Sequence, residues 1–192
     1  MNPETLQAAI SDYVFTYGEQ CPERVAMSSE LGDLSYSELA HQVRELAQSL
    51  LALGIKPGDR VAVLTTPRAD AYSLFIALNA VGAIWVGINP VYQYEEMAYV
   101  IGDAQPVALI FLSEFLGRSY QEDAERLTAQ HACLVNLFCL DAELEGIPAL
   151  PSAMREQIAQ GANELEIPVR NKNDVAMIVY TSGSTGQPKG CM

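Results

Sequence analysis

The hydrophobic pattern in the first third of the chain changes from helical to strand-like. Residues 35–38, Ser-Tyr-Ser-Glu, have the spacing of a capping box, in which both side chains satisfy free backbone N–H groups at a helix start. Apolar residues then recur at helical spacing as far as Leu53, and Gly54 supplies a C-terminal stop. The short apolar run at 61–64 that follows predicts a buried strand.

The same alternation continues along the rest of the chain. The predicted helices lie at residues 69–80, 94–101 and 114–130, and the predicted strands at 83–88, 107–112, 133–140 and 175–180. Such close alternation is typical of an α/β domain with a largely parallel sheet and flanking helices. Residues 141–173 are less regular and rich in proline, which predicts an irregular solvated excursion with one short helix at 152–160.

Residues 71–94 contain no charged side chain and are long enough to cross a bilayer. Their interior holds Asn79 and the pair Asn89-Pro90, and the pattern changes from helical to strand-like partway. A buried helix followed by a buried strand fits this segment better than a membrane span.

The charge of the chain disfavours two classes of function, and its cysteines indicate a cellular location. The 192 residues include 24 acidic and 11 basic side chains, for a formal net charge of −13. A nucleic-acid binder needs a basic surface, and so does a protein that binds anionic membranes, so both classes are disfavoured. The four cysteines form no CxxC pair, and residues 1–10 lack the pattern of a secretory signal. We therefore expect reduced thiols and a cytoplasmic location.

Residues 180–190 carry the clearest chemical signal. They read Tyr-Thr-Ser-Gly-Ser-Thr-Gly-Gln-Pro-Lys-Gly and follow directly on a predicted buried strand. Glycines permit positive φ, so that successive N–H groups can turn toward one anion. Four Ser and Thr hydroxyls add donors, and Lys189 adds a mobile positive charge. Since no carboxylate follows Asp174, the segment predicts a polyphosphate site.

The alternative is a flexible surface turn, which is the usual outcome of a Gly- and Ser-rich composition. The buried strand that leads into the loop and the lysine without acidic neighbours favour phosphate binding. The loop is not a Walker A sequence, because Pro188 stands five residues after Gly183 where a second glycine is required. Nor does the chain contain the Gly-x-Gly-x-x-Gly spacing of dinucleotide-binding domains.

Residues 180–190 closely resemble the phosphate loop of the adenylate-forming (AMP-binding) enzyme superfamily, which contains acyl- and aryl-CoA synthetases, firefly luciferase and the adenylation domains of peptide synthetases. Two upstream segments agree in order and spacing: Leu-Ser-Tyr-Ser-Glu-Leu at 34–39, and Leu-Asn-Ala-Val-Gly-Ala at 78–83 followed by Asn89-Pro90. Val81 stands where the family often has glycine. Residues 89–94 lack the second proline typical of peptide-synthetase domains, which favours an acyl- or aryl-CoA ligase.

The resemblance implies ATP-dependent activation of a small-molecule carboxylic acid to an acyl-adenylate, followed by thioester formation with coenzyme A. It implies ATP, Mg²⁺ and coenzyme A as cofactors. Lys189 is the implied catalytic residue, and Thr181 is also the implied contact to Mg²⁺. The implied phosphate-binding residues are Thr181, Ser182, Gly183, Ser184, Thr185 and Gly186.

By the same resemblance, residues 1–192 are expected to form the N-terminal portion of the adenylate-forming domain, without its later motifs or the C-terminal domain that carries a catalytic lysine. Such a fragment is expected to be inactive, or nearly so, alone. Two other readings stay open: a non-catalytic nucleotide or phosphate binder, and an assembly module. The sequence leaves open which acid is used, whether the acceptor is coenzyme A or a carrier-protein thiol, and whether the chain forms a homodimer.

Overall fold

The computed structural model describes residues 9–29, 32–171, 173–181 and 189–192. These residues form two compact units. The first unit comprises the described residues within Met1–Pro57, Pro67–Ala83 and Gln157–Asp174. The second comprises those within Gly58–Thr66, Ile84–Glu156 and Val175–Met192.

The first unit is mainly helical. Its helices are α1 (Ile10–Gln20), α2 (Tyr36–Ala52) and α3 (Ala69–Val81), and its strands β1 (Val25–Ser29) and β2 (Gly32–Ser35) form an antiparallel hairpin. Helix α2 packs against both α1 and α3. The Ser11 N–H donates to Asn79 Oδ1 at 2.9 Å and so joins α1 to α3 in the interior. Gln48 Nε2 donates to the carbonyl oxygen of Asn163, which joins α2 to a short 3-10 turn at Ala162–Glu164.

The capping box predicted at the start of α2 is present. The Glu38 N–H donates to Ser35 Oγ, and Glu38 Oε2 accepts from the Ser35 N–H at 2.8 Å. These hydrogen bonds hold the pKa of the Glu38 carboxyl below its usual value, with the Ser35 N–H making the largest contribution. The buried face of α2 carries apolar residues at helical spacing, as the sequence pattern predicted.

The second unit is built on a mostly parallel sheet. Its strands are β3 (Arg60–Leu64), β4 (Ile84–Ile88), β5 (Ala108–Phe111), β8 (Asn136–Cys139), β9 (Met177–Thr181) and β10 (Lys189–Cys191). Among the described residues the strand order is β10-β9-β4-β3-β5-β8, and every neighbouring pair is parallel except β9 with β10. The central strand β3 is buried from Val61 to Leu64, as a strand between two others requires.

Helices α4 (Tyr94–Ala104) and α5 (Gln121–Gln130) belong to the second unit, and α4 packs against β4. Helix α6 (Leu150–Ala159) begins in the second unit and ends in the first. A two-stranded hairpin, β6 (Glu114–Phe115) with β7 (Arg118–Ser119), precedes α5.

The predicted α/β class and mostly parallel sheet are confirmed. The five predicted strands, observed as β3, β4, β5, β8 and β9, and most of the predicted helices start within about three residues of their predicted positions. One helix prediction was wrong. Residues 114–119 of the helix expected at 114–130 form the β6–β7 hairpin, because Leu116 and Gly117 take positive φ values of 51° and 78° that a helix does not allow. Helix α1 and the β1–β2 hairpin were not predicted. Across the described part of the chain, every helix is too short or too polar to span a bilayer.

Candidate nucleotide-phosphate site

Thr181 and Lys189 lie opposite each other at the two ends of the predicted phosphate loop. They are register partners in the antiparallel pair of β9 with β10, and both are exposed. Directly opposed residues in such a pair have side chains on the same face of the sheet. The structure therefore brings together the hydroxyl and the ammonium group predicted to bind phosphate. Ser182, Gly183, Ser184, Thr185 and Gly186 lie outside the described residues.

The position of this hairpin in the sheet matches the predicted chemistry. Strand β9 runs parallel to β4, so Thr181 lies at the carboxyl end of the parallel strands. In open α/β sheets, ligands bind in the crevice outside this end. The burial predicted for this strand was wrong, however. Of the five residues of β9 only Tyr180 is buried, because the face with Met177, Val179 and Thr181 is exposed.

Tyr180 anchors β9 on the face opposite Thr181. It is 8% exposed, whereas Val179 and Thr181 on either side are exposed, as strand alternation requires. Tyr180 Oη donates to Asp103 Oδ2 of α4 at 2.5 Å. Burial, followed by this hydrogen bond and the charge of Asp103, raises the pKa of the Tyr180 phenol above its ordinary value. The phenol therefore stays protonated and remains a hydrogen-bond donor at neutral pH.

Arg60 holds the end of α4 that carries Asp103. Its Nε donates to the carbonyl oxygen of Ala104, and its Nη2 donates to that of Gln105 at 3.2 Å. Gln105 ends the helix in the left-handed conformation, with φ of 50°. The last carbonyl groups of a helix lack intrahelical hydrogen-bond donors, and the negative end of the helix dipole favours a cation. The Arg60 guanidinium supplies both the donors and the positive charge.

A second polar cluster fixes the Asn-Pro segment that follows β4. Tyr120 Oη donates to the carbonyl oxygen of Pro90 at 2.6 Å. Arg118 Nη1 donates to that of Tyr92 at 2.6 Å, while its Nη2 pairs with Asp123 Oδ2 at 2.6 Å. The Arg118 guanidinium also lies over the Tyr120 ring, 5.0 Å from its centroid. Burial raises the pKa of the Tyr120 phenol, so this hydroxyl also remains a donor.

The predicted Mg²⁺ contact stays a prediction. Mg²⁺ prefers oxygen ligands and is commonly held by one or two carboxylates together with substrate phosphates. Thr181 offers a neutral hydroxyl oxygen at the exposed start of the loop, which fits a metal that is held mainly by phosphate oxygens. Within the ranges that the structure describes, no three His, Cys, Asp or Glu side chains gather as a metal site would require.

Sequence reasoning missed Asp103 and Arg60. Asp103 lies 77 residues from Tyr180 and Arg60 lies 44 residues from Ala104, and neither residue belongs to a recognisable motif. The available signal was weak: an acidic side chain in the last turn of a helix is electrostatically unfavourable and calls for a partner.

Comparison with known proteins decides the family. The profile of the AMP-binding enzyme family matches residues 14–192, nearly the whole chain. The chain belongs to the AMP-binding enzyme family.

Its relatives in this AMP-binding family include a CoA ligase and a synthetase. The long-chain-fatty-acid–CoA ligase FadD15 of Mycobacterium bovis is 33% identical over 176 residues, covering 83% of this chain and 26% of that protein. The vanchrobactin synthetase VabF of Vibrio anguillarum is 32% identical over 187 residues, covering 97% of this chain and 6% of that protein. The chain spans between 2% and 32% of the length of the curated relatives compared.

Solved structures of AMP-binding enzymes share the fold. The anthranilate CoA ligase AuaEII, in complex with anthranoyl-AMP, superimposes with a TM-score of 0.80 at 22% identity, over 99% of this chain and 34% of that one. ATP-bound MatB from Rhodopseudomonas palustris superimposes with a TM-score of 0.77 at 27% identity, over 97% of this chain and 34% of that one. These likenesses confirm the α/β class, and MatB shows that a homologous fold holds ATP.

Proposed function

We propose that the chain supplies the ATP-phosphate site of an adenylate-forming carboxylic acid ligase. The observation that carries the proposal is the pairing of Thr181 with Lys189 at the carboxyl end of a parallel sheet, on either side of a Ser-, Thr- and Gly-rich loop. Membership of the AMP-binding family supports it.

In the proposed reaction, a carboxylate oxygen attacks the α-phosphorus of ATP. The bond from that phosphorus to the bridging oxygen breaks, and pyrophosphate leaves with the bonding electrons. Negative charge builds up on the departing phosphates, so donors that are already in place lower the barrier. The Lys189 ammonium and the Thr181 hydroxyl serve as such donors, and residues Ser182–Gly186 add hydroxyls and N–H groups. Mg²⁺, when bound, neutralises phosphate charge, and the Thr181 hydroxyl is its proposed protein ligand.

The proposed second step is attack of the coenzyme A thiolate on the acyl carbonyl, which releases AMP. Two observations favour coenzyme A over a carrier-protein thiol: residues 89–94 lack the second proline of peptide-synthetase domains, and FadD15 is 33% identical. VabF, at 32% identity, keeps the carrier-protein alternative open. Measuring AMP release with coenzyme A and with a phosphopantetheinylated carrier protein separates them.

Much of each relative lies beyond the region matched here, so we propose that residues 1–192 alone bind ATP but do not complete the reaction. ATP binding by the purified 192-residue chain, measured by calorimetry, tests the first part. Absence of pyrophosphate exchange by that chain, contrasted with exchange by the protein that carries it, tests the second.

The deciding experiment is exchange of labelled pyrophosphate into ATP, measured on the protein that carries this chain with a panel of fatty, aryl and amino acids. We expect acid-dependent exchange, with a loss of at least about a hundredfold in Lys189→Ala, in line with the removal of one transition-state donor. Lys56→Ala, an exposed lysine of the first unit, is the matched control and should retain exchange. ATP binding without exchange on any acid would instead support the non-catalytic nucleotide binder.

A further inference from the structure

Strand β10, which carries Lys189, has little support of its own. It is three residues long, each of them exposed, and its neighbour in the sheet is β9. The position of Lys189 therefore depends on how firmly β9 is held. Strand β9 pairs with β4 from Met177 to Val179, and this pairing ends before Thr181. Met177, Val179 and Thr181 on one face of β9 are exposed, so side-chain support next to the loop comes from the opposite face.

Tyr180 provides that support through Asp103. It is the one buried side chain of β9, and its Oη donates to Asp103 Oδ2 at 2.5 Å. A hydrogen bond to a charged carboxylate is shorter and stronger than one between neutral groups. Tyr180 precedes Thr181 in the chain and pairs with Gly190, the residue after Lys189, so the anchor acts next to both feet of the loop.

Asp103 is itself fixed. It lies in the last turn of α4, where a negative charge is unfavourable, and Arg60 binds the two carbonyl groups that follow it in the chain. Arg60 belongs to β3, the central strand of the sheet. The connection therefore runs from β3 through the end of α4 to β9, and it bypasses β4, which lies between the two strands.

We propose that Asp103 is a positioning residue for the phosphate-binding hairpin. Asp103 holds Tyr180, and Tyr180 in turn keeps Thr181 and Lys189 in position for the nucleotide before it binds. The proposal rests on the proposed function of that hairpin. Asp103 does not contact the nucleotide; it acts through Tyr180. A hairpin that is already ordered loses less conformational entropy on binding ATP, so releasing it weakens affinity.

The test uses four single variants of the protein that carries this chain, together with the double variant Tyr180→Phe/Asp103→Ala. Tyr180→Phe and Asp103→Ala break the anchor, and Asp103→Asn keeps an oxygen that can accept from the Tyr180 hydroxyl. Tyr120→Phe is the matched control, because it removes another buried tyrosine hydroxyl from the second unit, one that donates to Pro90 at 2.6 Å. Thermal unfolding of each variant reports its overall stability.

The first readout is hydrogen exchange of the backbone amides of β9 and β10 without nucleotide. We expect about tenfold faster exchange in Tyr180→Phe and Asp103→Ala, a smaller increase in Asp103→Asn, whose neutral amide keeps a weaker bond, and no change in these two strands in Tyr120→Phe. Equal exchange in Tyr180→Phe and Tyr120→Phe would overturn the proposal, whatever the protein does with ATP.

The second readout is the dissociation constant for ATP, measured by calorimetry. We expect a rise of about tenfold in Tyr180→Phe and in Asp103→Ala, no further rise in the double variant, and a smaller rise in Asp103→Asn. Faster exchange with unchanged ATP affinity in Tyr180→Phe and Asp103→Ala would show that Asp103 only stabilises the strands, and would overturn the positioning role. If the wild-type protein binds no ATP while the exchange pattern holds, the proposed function fails and the anchoring by Asp103 stands.

Discussion

Gly190 lies against the ring of Tyr180 on the neighbouring strand. A Cβ on Gly190 would stand 3.2 Å from Tyr180 Cζ and 3.1 Å from Ile178 Cγ2. The Tyr180 ring cannot move away freely, because its hydroxyl is bound to Asp103. The third glycine of the loop motif, Gly190, is therefore explained by its close approach to the side chains of β9, whereas the sequence suggested a role in turning N–H groups toward an anion.

We predict that Gly190→Ala lowers the free energy of unfolding by about 1–3 kcal/mol, the usual cost of overpacking. Urea denaturation measures it. Gly102→Ala in α4 is the control, since its Cβ would meet His131 Cε1 at an ordinary 3.5 Å and alanine favours a helix. The control should be neutral or stabilising by up to about 1 kcal/mol. A Gly190→Ala protein as stable as wild type would show that β10 can shift without penalty.

The capping box of α2 gives a second prediction. Ser35→Ala removes the acceptor of the Glu38 N–H and should lower the free energy of unfolding by about 1 kcal/mol. Ser37→Ala, an exposed serine inside the same helix, should change it by less than about 0.5 kcal/mol. Chemical denaturation of both variants provides the comparison, and equal effects would argue against the cap.

Tyr180 makes stability depend on alkaline pH. Folding raises the pKa of its phenol, so the folded state holds this proton more tightly than the unfolded state, whose tyrosine pKa is about 10. The stabilisation is complete below pH 10 or so and is lost as the pH rises above it, with a slope of up to about 1.4 kcal/mol per pH unit for this group.

Denaturation at a series of pH values from neutral to alkaline measures this slope. Tyr180→Phe should flatten it, although Tyr120, whose pKa is also raised, keeps its own contribution in that variant. Identical slopes in the wild type and in Tyr180→Phe would contradict the assignment. Ultraviolet absorbance of tyrosinate on the folded protein gives an independent check, because Tyr180 should ionise later than exposed tyrosines.

Arg118 gives a prediction about the Asn-Pro segment. Its two nitrogens reach the Tyr92 carbonyl and Asp123 together, which a lysine ammonium cannot reproduce with the same geometry. Arg118→Lys should therefore lower the free energy of unfolding by about 1–2 kcal/mol. Arg24→Lys, at an exposed arginine of the first unit, is the control and should change the free energy of unfolding by less than about 0.5 kcal/mol. Thermal melts that show no difference between the two variants would contradict a stabilising role for the paired contacts of Arg118 with Tyr92 and Asp123.

Local interactions determined what the sequence revealed. The Ser35–Glu38 cap acts within one helical turn, and the apolar periods of α2 and β3 follow from which faces are buried, so both could be predicted. The Ser-, Thr- and Gly-rich loop predicted a phosphate site for the same reason, because its hydrogen-bond donors are adjacent in the chain. The error at 114–119 has a local cause too: helical periodicity outweighed the turn signal of Leu116-Gly117.

Tertiary structure alone decided the strand order, the pairing of Thr181 with Lys189, and the anchor between Tyr180 and Asp103. The pairing of β9 with β4 and the contact of Tyr180 with Asp103 join residues that are far apart along the chain, and that separation carries no signal of its own. The sequence by itself therefore determined the class of fold and predicted phosphate chemistry for the loop. Packing decided what holds that loop in place, because the support comes from side chains 77 residues away on another element.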